Sequence, residues 1–138
     1  LGAEVTTYEQ DAEFADVARE NMTVAGVEAS VDVRTGDITD EMDELAAGEP
    51  FDLLTLDTED APEVVAEAAD LLASGGYLAV YSPFVENARA SAEAAEAAGL
   101  SAIETVETIQ RELQIDDRGT RPSTAGVGHT GYLTFGRR

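Results

Sequence analysis

The feature that most constrains the fold of this chain is an alternation of strand-like and helix-like segments. Four short segments rich in apolar and β-branched residues have the composition of β-strands: residues 3–8, 30–34, 51–56 and 76–82. Each of them is followed by a segment with a helical pattern: residues 11–25, 40–47, 62–72 and 85–98. Strands that alternate with helices indicate βαβ units. We therefore predict an α/β fold with a doubly wound, mostly parallel sheet.

Several segments allow a more specific prediction. In the first helix, Phe14 shares one face with smaller apolar side chains, and Gly26 is the predicted stop. Residues 51–56 (FDLLTL) are nearly continuous in apolar character, which predicts a central strand buried on both faces. Residues 102–115 fit both helical and strand spacing, but their many Thr, Ile and Val residues favour one long strand. Residues 131–136 (GYLTFG) are predicted to form the last strand.

The composition is strongly acidic. Among 138 residues, 29 Asp and Glu stand against 8 basic residues, all of them Arg, which gives a formal net charge of −21. Carboxylates in such excess repel one another, and concentrated salt screens that repulsion. The composition favours a halophilic protein of a high-salt cytoplasm; the alternatives are an acidic surface that docks a basic partner and an acidic fragment of a larger assembly. Phosphate binding usually draws on basic patches, so the charge handicaps nucleic-acid binding except in molar salt.

Other residue counts exclude several classes of site. Cysteine is absent and His129 is the single histidine, which excludes disulfides, zinc knuckles, thiol nucleophiles and any site with two imidazoles. We predict no metal. The sequence has no apolar run of about 18 residues and no basic-then-apolar leader, so we also predict no membrane span, no signal peptide and a cytoplasmic location.

Three carboxylates follow three successive predicted strands: Glu9, Asp37 and Asp57. In doubly wound sheets, ligands bind outside the carboxyl ends of the strands. A carboxylate there can accept hydrogen bonds from both hydroxyls of a ribose, and one on a neighbouring strand can accept from an adenine amine. Each acid taken singly is more often a solvated surface charge. As an ordered set, they favour a cofactor that contains a nucleoside.

Several motifs resemble known families. Residues 5–9 (VTTYE), 35–37 (TGD), 51–57 (FDLLTLD) and 74–78 (SGGYL) resemble motifs of class I S-adenosylmethionine-dependent methyltransferases. Residues 107–112 (ETIQRE), 121–122 (RP) and 128–133 (GHTGYL) resemble the tRNA (adenine-58-N1)-methyltransferase family. The resemblance implies a Rossmann-like fold with an antiparallel C-terminal strand, S-adenosylmethionine as cofactor, tRNA as substrate and a homotetramer. Together with the acidic composition, it predicts an enzyme of the halophilic archaeal type.

The chain departs from the family pattern in two places. No GxGxG-like segment precedes residue 5, so we expect residues 1–138 to be the C-terminal part of one catalytic domain whose first strand and glycine-rich loop lie outside them. We also expect this part alone to bind S-adenosylmethionine weakly. After Asp57, Glu59 and Ala61 stand where the family tends to have prolines, and the proline is Pro62.

The resemblance implies roles for individual residues. Glu9, Asp37, Ile38 and Asp57 are expected to bind the cofactor, and Asp57 is the expected catalytic residue. Tyr81, Arg121 and His129 are the candidate substrate contacts. For each of these three the alternative stays open: a core tyrosine, an arginine paired with a nearby carboxylate, and a structural histidine. Asn87 stands where the family often has Gln, and we give it little weight.

Methylation of adenine N1 needs no base, since the ring nitrogen already carries a lone pair. A carboxylate that accepts from the exocyclic amine would orient the ring and stabilise the developing positive charge. The predicted activity is therefore transfer of a methyl group to an adenine of the tRNA T-loop, either at position 58 alone or at positions 57 and 58. The alternatives are a non-catalytic tRNA-binding subunit with the same fold and a small-molecule methyltransferase.

Overall fold

A computed structural model describes residues 2–126 and 128–138. The described residues form eight strands: β1 Val5–Glu9, β2 Val31–Thr35, β3 Phe51–Leu56, β4 Leu72–Ser82, β5 Ser101–Gln110, β6 Leu113–Asp116, β7 Gly119–Pro122 and β8 Gly128–Arg137. The α-helices are α1 Ala12–Ala25, α2 Met42–Ala47, α3 Ala61–Ala66, α4 Ala68–Leu71 and α5 Val85–Ala97, and a 3₁₀ turn spans Ile38–Glu41. The chain forms two compact units, of which the first ends at Ala47 and the second begins at Gly48.

The first unit pairs β1 with β2 in parallel, from Val5 opposite Val31 to Glu9 opposite Thr35. Helix α1 connects the two strands as the sequence predicts. It begins after Asp11, whose Oδ1 accepts a hydrogen bond from the Glu13 N–H at 2.8 Å, and it ends at Gly26 with φ +70°. These are the typical caps of an α-helix.

The second unit contains a four-stranded sheet in the order β3-β4-β8-β5. Strands β3 and β4 are parallel, and β8 is antiparallel to both of its neighbours. The predicted mixed sheet with an antiparallel C-terminal strand is therefore confirmed. Its core is made of fully buried side chains from α3, α4 and β4: Val64, Val65, Leu71, Leu72, Leu78 and Val80.

Two predictions about burial are wrong. Leu53 in β3 is 57% exposed, because β3 is the edge strand of its sheet and pairs, in the part of the chain that the structure describes, with β4 alone. Phe14 is 65% exposed. The residue of α1 that is fully buried is its neighbour Ala15, because a helix packs closely through small side chains.

Three predicted elements are divided or displaced. Residues 102–115 are extended, as favoured, but they form β5 and β6, and the unpredicted strand β7 completes a hairpin with β6. The predicted helix at 62–72 is split into α3 and α4 at Glu67. Strand β4 begins earlier than predicted, and its pairing with β3 jumps from Leu72 to Tyr77 across the predicted Ser-Gly-Gly turn.

Gly76 explains why that turn needs glycine. A Cβ at this position would lie 2.9 Å from the Ala73 carbonyl oxygen and 3.1 Å from that of Phe51. Both contacts are with backbone, which cannot move aside cheaply. No helix among the described residues is long and apolar enough to span a bilayer.

Candidate functional site

The carboxyl ends of β1 and β2 bring together two of the predicted cofactor residues. The Gly36 N–H donates to the Glu9 carbonyl oxygen at 3.0 Å, so the chain leaves both strands at the same edge. The Glu9 carboxylate uses Oε1 to accept from the Asp11 N–H at 2.9 Å, and Oε2 accepts nothing from the described residues. A free carboxylate oxygen at this edge can accept hydrogen bonds from the hydroxyls of a sugar.

Asp37 is held in the ionised form. Its Oδ1 accepts from the Thr39 N–H at 2.9 Å and from the Thr39 hydroxyl at 2.7 Å. These bonds, the backbone one first, hold the pKa of the Asp37 carboxyl below its usual value. The Gln10 amide reaches its Oδ2 at 3.4 Å. The half-buried Ile38 follows directly and starts the 3₁₀ turn.

In the second unit, Asp57 follows the end of β3, and Tyr81 lies near the end of the neighbouring strand β4. Leu56 of β3 pairs with Val80 of β4, and Asp57 and Tyr81 are the residues that follow these two in the sequence. The Asp57 side chain is exposed. No hydrogen bond or ion pair reaches its carboxylate from the residues described. Asp57 therefore presents a carboxylate without a partner among the described residues at the edge where parallel strands place their ligands.

Tyr81 is held in place by the first part of the last strand, β8. Its hydroxyl donates to the Thr130 carbonyl oxygen at 2.7 Å, and its ring covers the buried Gly131. The Thr130 hydroxyl in turn donates to the Thr108 carbonyl oxygen at 2.6 Å. These contacts favour the structural alternative for Tyr81. They also give Thr130 and Gly131 a structural role, since these two residues contact the tyrosine.

We expect Gly131→Ala to destabilise the protein by about 1–3 kcal/mol. Gly131 has φ +140°, and a Cβ there would lie 2.8 Å from Tyr81 Cζ and 2.9 Å from its hydroxyl oxygen. Urea unfolding measures the effect. Gly126→Ala is the matched control, because a Cβ there meets nothing within 4 Å. Equal unfolding midpoints for the two variants would contradict the expectation.

The sequence analysis missed the importance of Asn87. Its Nδ2 donates to the Glu59 carbonyl oxygen at 2.7 Å, which ties the first turn of α5 to the loop that follows Asp57. Its Oδ1 is buried without a partner among the described residues. The signal available was the family's glutamine at this position.

Phe84 is a second residue that the sequence analysis missed. It is the residue directly before α5 and is 68% exposed. The Ser82 hydroxyl accepts from its N–H at 3.1 Å and lies 3.1 Å from its carbonyl oxygen, to which it donates. An exposed aromatic ring thus stands on a fixed backbone close to the ends of β3 and β4.

The two remaining predicted residues lie elsewhere in the second unit. Arg121 is exposed in β7, opposite Gln114, in a separate two-stranded sheet. Within residues 2–126 and 128–138 it forms no ion pair, so the expected pairing with a carboxylate is not observed. The backbone of His129 pairs with Ile109, and its side chain lies outside the described part of the structure. No three potential ligands converge as a metal site among the residues described.

Comparison with known proteins identifies the family. The profile of the tRNA methyltransferase complex GCD14 subunit family matches residues 2–120. The tRNA (adenine(57)-N(1)/adenine(58)-N(1))-methyltransferase TrmI of Methanocaldococcus jannaschii is 31% identical over 159 aligned positions, which cover 96% of this chain and 55% of that protein.

Solved structures show the same fold. TrmI, the tRNA (m1A58) methyltransferase of Aquifex aeolicus, superposes with a TM-score of 0.76 at 25% identity, over 97% of this chain and 53% of that one. A SAM-dependent O-methyltransferase of Thermotoga maritima superposes with a TM-score of 0.81 at 25% identity, over 98% of this chain and 49% of that one. The fold is therefore the Rossmann-like methyltransferase fold. The chain spans about half the length of these relatives, and it belongs to the family of the tRNA methyltransferase complex GCD14 subunit.

Proposed function

We propose that this protein transfers the methyl group of S-adenosylmethionine to N1 of an adenine in the T-loop of tRNA, at position 58. The observation that carries the proposal is Asp57: an exposed carboxylate without a partner among the described residues, at the carboxyl end of a parallel strand in a methyltransferase fold. The name of the M. jannaschii relative includes position 57 as well, and the assay below distinguishes the two positions.

The residues of the first unit fit the nucleoside part of the cofactor, which supplies the methyl group when bound. Glu9 offers a free carboxylate oxygen to the ribose hydroxyls. Thr39 lowers the pKa of the Asp37 carboxyl. The other oxygen, Oδ2, accepts from the exposed amide of Gln10 at 3.4 Å, a long bond that an adenine amine can replace. Ile38 supplies apolar contact to the base.

Asp57 acts on the acceptor adenine. Its carboxylate accepts a hydrogen bond from the exocyclic amine, which turns the ring so that N1 faces the methyl group. As N1 forms its new bond, positive charge spreads over the ring, and the fixed negative charge stabilises it. The target base must leave its stack to reach this carboxylate. Tyr81, Arg121 and His129 stay candidate contacts to the tRNA, and a cytoplasmic homotetramer is the proposed assembly.

The test is methylation of a tRNA transcript by the product of the natural open reading frame, in molar KCl with labelled S-adenosylmethionine. We expect label in 1-methyladenosine, and its loss when the adenine at position 58 is replaced by guanine. Replacing the adenine at position 57 instead shows whether that position is also modified. A protein that binds tRNA but leaves it unlabelled would support the non-catalytic alternative and contradict the proposal.

A further inference from the structure

We propose that Phe84 is the aromatic platform on which a nucleobase of the RNA substrate stacks beside Asp57. The inference rests on the proposed function and adds a substrate contact to it. Phe84 is 68% exposed. A phenylalanine ring has a large apolar area, and covering that area with a partner removes it from water. Base–aromatic stacking is a main source of affinity for unpaired nucleotides.

The backbone that carries the ring is fixed in advance. Ser82 is 4% exposed and belongs to β4, where it pairs with Tyr132 of β8. Its hydroxyl bonds both the N–H and the carbonyl oxygen of Phe84, and that carbonyl also accepts from the Ala88 N–H at 3.1 Å. A ring on such a support loses little conformational entropy when a base covers it.

The same region places Phe84 close to Asp57. The hydrogen bond from Asn87 to the Glu59 carbonyl oxygen, 2.7 Å long, joins the segment that contains Phe84 to the segment that contains Asp57. Asp57 is two residues from one end of this bond, at most about 7 Å of chain. Phe84 is three residues from the other end, about one helical turn of roughly 5 Å. Asp57 and Phe84 therefore both lie within a few residues of the hydrogen bond between Asn87 and Glu59.

The acidic residues near Phe84 in the sequence favour contact with a nucleobase over contact with a phosphate. Glu59 is an exposed residue two positions after Asp57, and Glu86 is an exposed residue two positions after Phe84. Their carboxylates repel phosphate. A carboxylate beside an aromatic face suits a flat ring that carries an amino group and becomes positive during reaction. With 8 Arg against 29 acidic residues, the chain has few cations for phosphate contacts, so stacking must supply a larger share of the binding free energy.

The experiment compares Phe84→Leu with the unchanged protein. Loss of one base–aromatic stack is expected to raise the KM and the Kd for tRNA about 5- to 150-fold, with S-adenosylmethionine affinity and thermal midpoint unchanged. Phe84→Tyr, which keeps an aromatic face, is expected to restore both constants. The defect should persist in molar KCl, since salt screens charge interactions but not stacking.

Two matched controls use other exposed apolar residues. Phe14→Leu removes a ring that is 65% exposed in the first unit. Val85→Ala shortens the side chain of the residue after Phe84; this valine is 51% exposed. Neither is expected to change the Kd for tRNA. The inference is wrong if Phe84→Leu binds tRNA with the same Kd as the unchanged protein. It is also wrong if the substitution leaves the Kd unchanged but alters the oligomeric mass measured by light scattering. The Kd for tRNA can be measured without turnover. A protein that binds tRNA but does not methylate it would therefore contradict the proposed function, while the Kd values of Phe84→Leu and the unchanged protein would still test the stacking contact.

Discussion

Asp57→Asn is expected to lower the rate of methyl transfer to tRNA by about 100- to 1000-fold, the loss typical of one preorganised electrostatic contact to a transition state. Asparagine keeps the size of the side chain and an acceptor oxygen, but it carries no charge to stabilise the adenine as it becomes positive. The affinity for S-adenosylmethionine should fall much less, because the contacts proposed for its nucleoside part are made by Glu9 and Asp37. Single-turnover methylation and calorimetry of cofactor binding measure the two effects separately.

Asp52→Asn is the matched control for this change. Asp52 is an exposed aspartate within β3, the strand that Asp57 follows, five positions earlier in the sequence, and its replacement changes the net charge by the same amount. We expect its single-turnover rate to match that of the unchanged protein. A near-normal rate in Asp57→Asn would show that this carboxylate does not act on the reacting base.

Raising the salt concentration from about 0.1 M, where the Debye length is about 10 Å, to molar KCl is expected to increase both the thermal midpoint and the affinity for tRNA. The net charge is −21. The ion pairs among the described residues are Arg19–Asp16, Arg34–Asp32 and Arg89–Glu93, all on the surface. Most carboxylates therefore repel without compensation. Each kcal/mol of relieved repulsion corresponds to about 4 °C for a domain of this size.

Ordinary tRNA-binding proteins behave in the opposite way, because salt weakens their phosphate contacts. The measurement is a salt titration of the thermal midpoint and of tRNA binding. NaCl should reproduce the KCl curve at equal ionic strength if screening is the cause. A flat midpoint together with steadily weaker tRNA binding would overturn the high-salt interpretation.

The parts of the structure that the sequence predicted well depend on local chemistry. Asp11 and Gly26 delimit α1 because a carboxylate caps the free N–H groups at a helix start and glycine adopts the left-handed conformation at its end. Glu9 and Asp37 meet because parallel strands end at one edge. Alternating strand and helix patterns were enough for the fold class.

The parts that the sequence did not predict depend on contacts between distant residues. The bond from Tyr81 to Thr130 spans 49 positions and that from Asn87 to Glu59 spans 28, and no local pattern encodes either one. The exposure of Leu53 follows from the edge position of β3, which the composition of one strand does not reveal. The hairpin of β6 and β7 was missed because the break at Arg111 and Glu112 interrupts an otherwise continuous extended pattern.

The position of β8 has a consequence for how the second unit is assembled during synthesis. Strand β8 is synthesised after β4 and β5, yet it lies between them and bonds to both. Until its residues emerge, β4 and β5 each present an unpaired edge, and pairing with β8 must close a loop back to β4 across about 50 residues. The sheet of this unit therefore closes only after β8 has been synthesised, and the nascent chain has to keep the unpaired edges of β4 and β5 apart until then.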